Sequence, residues 1–244
     1  MMEKESMCDQ NKLRDIEYNY KTIEENISAA AIKSGRSRED ITFLAATKTV
    51  EPVYINHAIS LGLKYIGENR VQELLSKYES YDLENASLHF IGHLQSNKVR
   101  QIINKVDLIQ SVDSVKLSNE ISRQSKLNNT DCDVLIEVNI GGEESKSGIQ
   151  PEQLNELLYE ISELDNVHVK GLMSIPPICD SKTEIRKYFL QMHKLFVDIK
   201  SKKIDNVDMK FLSMGMSSDY EEAILEGANM VRLGSALFGP RIYV

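Results

Sequence analysis

The chain has 244 residues, of which 41% are hydrophobic and 27% charged, and its formal net charge is -8. That length suits an α/β barrel and buries a large core without help from metals or disulfides. The acidic balance, with no basic stripe among aromatics, excludes a protein built to grip a nucleic-acid backbone, and three scattered cysteines (Cys8, Cys132, Cys179) exclude a disulfide framework or zinc site.

The N-terminus, MMEKESMCDQNK, is too polar for a signal peptide, and no long apolar run follows, so the expectation is a cytoplasmic protein without membrane contact. Residues 9–34 read as an amphipathic helix: Leu13, Ile16, Tyr20, Ile23, Ile27 and Ala30 recur at helical spacing and Gly35 stops it. From there short apolar runs alternate with polar stretches of helical period. The runs, read as buried parallel strands, cover residues 41–48, 64–68, 88–92, 107–113, 133–140, 167–175, 210–216 and 230–239. Residues 152–164 show the helical texture between them. Pro52 and Pro151 stand at first helical positions, Gly62 and Gly227 at helix ends. Strand–helix alternation implies right-handed crossovers and a parallel sheet. Eight strands in one domain length favour a single (β/α)8 TIM-type barrel with an extra N-terminal helix, an open doubly wound sheet being the main rival. No linker divides residues 1–244, which read as one domain.

Barrel chemistry collects at the C-terminal ends of the strands. The first run ends in Lys48. A lysine on a buried strand loses hydration, which favours the neutral amine, and a neutral amine attacks an aldehyde to form an imine. Taken alone, Lys48 equally marks where a strand meets solvent. In the last run Arg232 interrupts apolar residues, and Gly234 follows on the same face. Gly234 and Ser235 offer bare N–H groups and a hydroxyl, the donors of a phosphate cradle; a structural ion pair and a tight bend would explain them too. Ser218 and Glu221 have capping-box spacing, which puts Ser217 and Ser218 at a helix start. We read Ser218 as the cap and Ser217 as an anion contact. Asn69 and His93 follow the second and third runs. Asp113, Glu137 and Asn139 close the fourth and fifth, as ligand contacts or as a structural network. No metal-ligand spacing stands out.

These residues carry a resemblance. The chain resembles the pyridoxal phosphate homeostasis proteins, whose barrel is similar to the cofactor-binding barrel of alanine racemase. The motifs are 44-LAATKT-49, 67-GENRVQE-73, 89-HFIGHLQSNK-98, 111-SVDS-114, 171-GLMSI-175, 213-SMGMSSD-219 and 231-VRLGSALFG-239, with the spaced set Asn139, Glu143, Lys146 and Gly148. The resemblance implies pyridoxal 5′-phosphate (PLP) as cofactor, Lys48 as the imine lysine and Arg232 facing the pyridine nitrogen. It implies phosphate contacts from Gly234, Ser235 and Ser217, with Ser213 and Asn69 beside them. Ala46 and Thr47 stand where the family often has Val and Ser, Ser235 where Thr is common, and Ala228 and Asn229 where Ser and Thr are frequent.

The resemblance also implies a role. An Arg opposite the ring nitrogen disfavours its protonation and weakens the electron sink on which PLP catalysis rests. In the similar racemases a tyrosine from a C-terminal domain of the partner subunit supplies a second acid/base; with Val244 five residues after Gly239, no such domain is expected here. The expectation is a non-enzymatic carrier that buffers PLP and passes it to PLP-dependent apo-enzymes, working as a monomer or weak dimer. The second reading is a small PLP-dependent amino-acid racemase or lyase.

Overall fold

The computed structural model describes residues 2–240, with side chains from Gln10 onward; the Cys8 side chain, Tyr243 and Val244 lie outside the described residues. Eight parallel strands close on themselves in sequence order, each joined to the next and the last to the first. They are β1 (Thr42–Ala46), β2 (Tyr65–Glu68), β3 (Ser87–Phe90), β4 (Leu108–Val112), β5 (Cys132–Glu137), β6 (Val167–Met173), β7 (Val207–Ser213) and β8 (Met230–Leu233). The (β/α)8 barrel is therefore the fold, and the open sheet is excluded because β1 pairs with β8, Leu44 opposite Arg232. The helices are α1 (Met2–Lys33), α2 (Pro52–Ser60), α3 (Val71–Lys77), α4 (Val99–Ile102), α5 (Val115–Asn128), α6 (Leu154–Ser162), α7 (Lys182–Lys202), α8 (Tyr220–Leu225) and α9 (Ser235–Phe238).

Parallel strands cannot be joined by tight turns, so each crossover carries a helix, and each helix buries the stripe that faces the barrel. In α6 that stripe is Leu154, Leu157, Leu158 and Ile161, at the spacing that keeps one face inward. Truncating any of them to Ala should cost about 2–5 kcal/mol. Local sequence sets the helix limits. Ser114 and Ser181 accept hydrogen bonds from Leu117 N and Glu184 N and start α5 and α7, while Asn129 and Lys203 take left-handed conformations at their ends. Pro52 opens α2 as expected; Pro151 instead opens a single 3-10 turn that leads into α6. The extra helix α1 buries Ile16, Ile23, Ile27 and Ala30. It is tied to the closing elements by Asn19 Nδ2 donating to Leu237 O and Asn26 Nδ2 to the Tyr220 hydroxyl.

Two apolar layers result. The outer one lies between strands and helices. The inner one fills the barrel with Leu44, Ile91, Leu108, Leu135, Met173 and Met230. Several strands are shorter than their apolar runs. β1 stops at Ala46, so Lys48 lies in the following turn and not on the strand. β5 stops at Glu137, and Val138 only bridges to Ile149. The last run divides at Gly234 into a strand and a helical turn. The reason is common to all: near the barrel mouth apolar residues pack against loops, so apolarity outlasts strand pairing.

Candidate functional site

The C-terminal rim brings the residues of interest together in layers. Arg232 stands on β8, 4% exposed inside the barrel. Burial pulls its guanidinium down to about 10, against the opposing pull of Glu137 and Asp219. It is still a cation at neutral pH. Its Nη1 donates to Ser213 Oγ (2.7 Å) and its Nη2 to Ser174 O (2.9 Å). Ser213 Oγ donates onward to Gln110 Oε1 (2.7 Å), and Gln110 Nε2 lies 3.0 Å from His89 Nδ1. Burial pushes His89 down to about 4, so the ring is neutral and Nδ1 accepts. A directional chain thus runs from Arg232 through Ser213 and Gln110 to His89 along the barrel interior: Arg232 only donates, Ser213 and Gln110 each accept and donate, and His89 Nδ1 only accepts. The amide and tautomer assignments follow from this network.

Ser213 is consequently wholly buried, with its proton committed to Gln110. The sequence expectation put it beside a phosphate; the structure uses its hydroxyl to seat Arg232. Gln110, His89 and Ser174 were not singled out from sequence. Gln110 interrupts an apolar run just as Arg232 does, and the same signal would have found it.

The rim above is built from β7, β8 and β1. Ser217 Oγ accepts from two backbone N–H groups, Gly234 N (3.2 Å) and Ala236 N (3.1 Å). Two amides and a hydroxyl therefore converge on one point, with Ser235 exposed beside them. Gly234 lies close to the end of β1: a Cβ there would stand 3.2 Å from Ala46 O. A cleft of about 750 Å³ opens at this place, lined by Ala46, Lys48, Gly234 and Ser235 on the barrel side and by Asp15 and Asn19 of α1. Lys48 is half-buried on its wall.

The capping expectation shifts by one residue. α8 starts after Asp219, whose carboxylate accepts from Met216 N (2.7 Å), and Ser218 contacts that carboxylate without capping the helix. The Asp219 carboxylate turns back to the loop before α8 and makes no side-chain cap to the helix either. Asn69 follows β2, where its carbonyl crowds Gly92: a Cβ at Gly92 would meet Asn69 O at 2.2 Å. Asn69 Oδ1 is enclosed without a hydrogen-bond partner among the described residues.

Asp113 and Glu137 close β4 and β5 as expected, and Glu137 is 6% exposed. Burial, reinforced by the charge of Asp113 and opposed by Arg232, raises the Glu137 carboxyl to about 7. His93 is exposed, its Nδ1 3.3 Å from Ser147 Oγ and 4.0 Å from Asp113. The spaced set after β5 builds a loop: Asn139 Nδ2 donates to Glu143 O, and Glu143 N to Asn139 Oδ1. Lys146 pairs with Glu143 and reaches Pro176 O. No metal-binding cluster occurs among the described residues, and no helix among them is long and apolar enough to cross a membrane.

The family described as alanine racemase, N-terminal domain, matches residues 14–241. A pyridoxal phosphate homeostasis protein of Aquifex aeolicus is 47% identical over 219 residues, covering 90% of this chain and 95% of that one. The chain belongs to the pyridoxal phosphate homeostasis protein family. Two solved structures agree with that membership. A protein of unknown function from Bifidobacterium adolescentis superposes with a TM-score of 0.89 at 36% identity, covering 93% of this chain and 96% of that one. PipY of Synechococcus elongatus PCC7942, solved with PLP bound, gives 0.76 at 30% identity, covering 89% of this chain and 100% of that one.

Proposed function

We propose that the protein binds PLP by its phosphate at the Gly234–Ser235 turn, holds it as an imine on Lys48 and releases it again. It would thereby buffer and deliver the cofactor and not turn over a substrate. One observation carries this reading: closure of the barrel between β1 and β8 puts Lys48 and the Gly234–Ser235 turn on the same cleft. The names of the curated relatives and the PLP-bound PipY neighbour support the choice of cofactor.

The described residues fit the group. The N–H groups of Gly234 and Ala236 converge where a phosphate oxygen can take the place of Ser217 Oγ, with the Ser217 and Ser235 hydroxyls as further donors. Asn69 brings an enclosed amide oxygen with no partner of its own, and so accepts from a donor on the cofactor or on a bound water. Bound PLP supplies an aldehyde that reacts reversibly with amines. Lys48 would provide the amine to which that aldehyde attaches and from which it is released. Arg232, a cation held rigidly by Ser213 and Ser174, opposes protonation of a ring nitrogen placed against it and so weakens carbanion chemistry. Ser213 acts through Arg232 as a positioning residue.

In this reading residues 1–244 act as one PLP-binding domain, working as a monomer or weak dimer, and apo-enzymes that use PLP are the recipients. The test is borohydride reduction of the PLP-loaded protein followed by peptide mass mapping. The pyridoxyl label is expected on Lys48; a label on another lysine, with Lys48 unmodified, overturns the assignment.

A further inference from the structure

The turn that carries Lys48 is held from below by a group of side chains not yet given a role. Glu68 ends β2 wholly buried. Its Oε1 accepts from the Tyr81 hydroxyl (2.6 Å) and from Lys77 Nζ (3.1 Å), and lies 2.8 Å from Thr47 Oγ1. Lys77 Nζ, at the end of α3, also donates to Thr47 O (3.1 Å) and to Glu73 Oε1 (2.6 Å). Glu73 Oε1 in turn accepts from Thr49 N (2.5 Å). Every one of these chains ends on residue 47 or residue 49, the two neighbours of Lys48.

Two further facts argue against a role in stability alone. Thr49 has a φ of 62°, a left-handed conformation that a β-branched residue avoids, so something must hold it there. Its N–H is held by Glu73, from another element. The group is also a Glu–Lys–Glu arrangement with side chains 0% (Glu68), 13% (Lys77) and 20% (Glu73) exposed. Burying charges is a poor way to gain stability compared with apolar packing, whereas charged hydrogen bonds fix direction and register.

We propose that Glu68, Tyr81, Lys77 and Glu73 form a positioning cluster that locks the backbone on both sides of Lys48 and so aims its amine at the aldehyde. The proposal rests on the reading of Lys48 as the imine residue. None of the four residues lines the cleft with Lys48, Gly234 and Ser235; their effect passes through residues 47 and 49. The cluster should therefore govern formation of the imine and leave phosphate-anchored binding alone.

The test compares wild type with Glu73→Gln, Lys77→Met and Tyr81→Phe, and with Glu73→Gln in a Thr49→Gly background. Imine formation is read from absorbance and from borohydride labelling of Lys48. Anchoring is read from binding of pyridoxine 5′-phosphate, which keeps the phosphate but has no aldehyde, and Tm is recorded for each variant. Glu73→Gln and Lys77→Met are expected to lower the imine equilibrium about tenfold, the equivalent of one charge-assisted hydrogen bond, with analogue binding changed less than about twofold. Glycine adopts the left-handed conformation unaided, so the Glu73→Gln effect should shrink to under about threefold in the Thr49→Gly background. Unchanged imine yield in both variants, with Lys48 labelled in wild type, overturns the cluster alone. So does a parallel fall of imine yield, analogue binding and Tm, which would mean general loosening. A wild-type label on a different lysine overturns the reading of Lys48 and the cluster's role with it.

Discussion

The Ser213 hydroxyl lies 2.7 Å from Arg232 Nη1 and 2.7 Å from Gln110 Oε1, so one buried serine orders both the cation above it and the amide below it. Ser213→Ala removes an acceptor and a donor at once and leaves two buried atoms, Arg232 Nη1 and Gln110 Oε1, without that partner. The expected cost is about 1–3 kcal/mol in urea unfolding. Weaker PLP binding should accompany it, because Arg232 loses its seat. A change under about 0.5 kcal/mol, the usual range for a surface position, would show that the chain does not hold Arg232.

Phosphate anchoring and imine formation should separate by mutation. Lys48→Ala is expected to keep weak, non-covalent PLP binding, since several charge-assisted hydrogen bonds of about 1.5–3 kcal/mol each remain. Gly234→Val is expected to lose it. A Cβ alone meets Ala46 O at 3.2 Å, which a small shift relieves, so Gly234→Ala should be mild; the branched carbons of valine then block the approach to the turn. Equilibrium dialysis checks all three. Wild-type affinity in Gly234→Val would mean that the cradle lies elsewhere.

Stability should depend on pH through two buried groups that pull in opposite directions. The Glu137 carboxyl is raised from 4.5 to about 7, so the native state keeps a proton that the unfolded chain has released. Its contribution is present at pH below 4.5 and is lost as pH rises through about 7. His89 is lowered from 6.5 to about 4, so the unfolded chain takes up a proton first, and stability falls as pH falls from 6.5 toward 4. Glu137→Gln removes the first effect. Its stability relative to wild type, measured by urea unfolding of the cofactor-free protein, should rise between pH 5 and pH 8 by up to about 3 kcal/mol. A difference between the two proteins that stays flat across that range contradicts the assignment.

Catalysis at Cα should be negligible. Arg232 disfavours the protonated ring, and Tyr65, at the start of β2, is packed edge-on against His89 in the barrel interior, away from the rim. General acid–base catalysis contributes typically about 10²–10⁴-fold, and neither Tyr65 nor the neutral His89, two residues nearer the rim, lines the cleft to supply it. Solvent deuterium exchange at Cα of L-alanine and other amino acids, followed with PLP-loaded protein, should run little faster than with free PLP. Turnover in the ordinary enzyme range of about 1–10³ per second would establish the racemase or lyase reading instead.

Arg232 was legible because it breaks an apolar run, and a buried charge needs a reason; Lys48 was legible because it closes one, although the structure puts it in the turn beyond the strand. The strand–helix alternation likewise fixed a parallel architecture, and eight runs in one domain length pointed to closure. Strand ends were less legible, since residues such as Val138 and Met214 are buried under loops after pairing has stopped. Glu68 was legible only as the last residue of a strand, and nothing in the sequence marked Glu73 and Lys77 as its partners. Only the tertiary structure places them beneath the Lys48 turn, because α3 packs on β2 and its Lys77 and Glu73 reach Thr47 O and Thr49 N beyond the end of β1. In the same way the resemblance set Ser213 beside a phosphate, and only the closed barrel shows that its hydroxyl also meets Gln110 and Arg232 across the interior. Residue types and periods are local properties and are written in the chain. Which polar group meets which across the barrel depends on strand order and register, and those are decided only when β8 closes on β1.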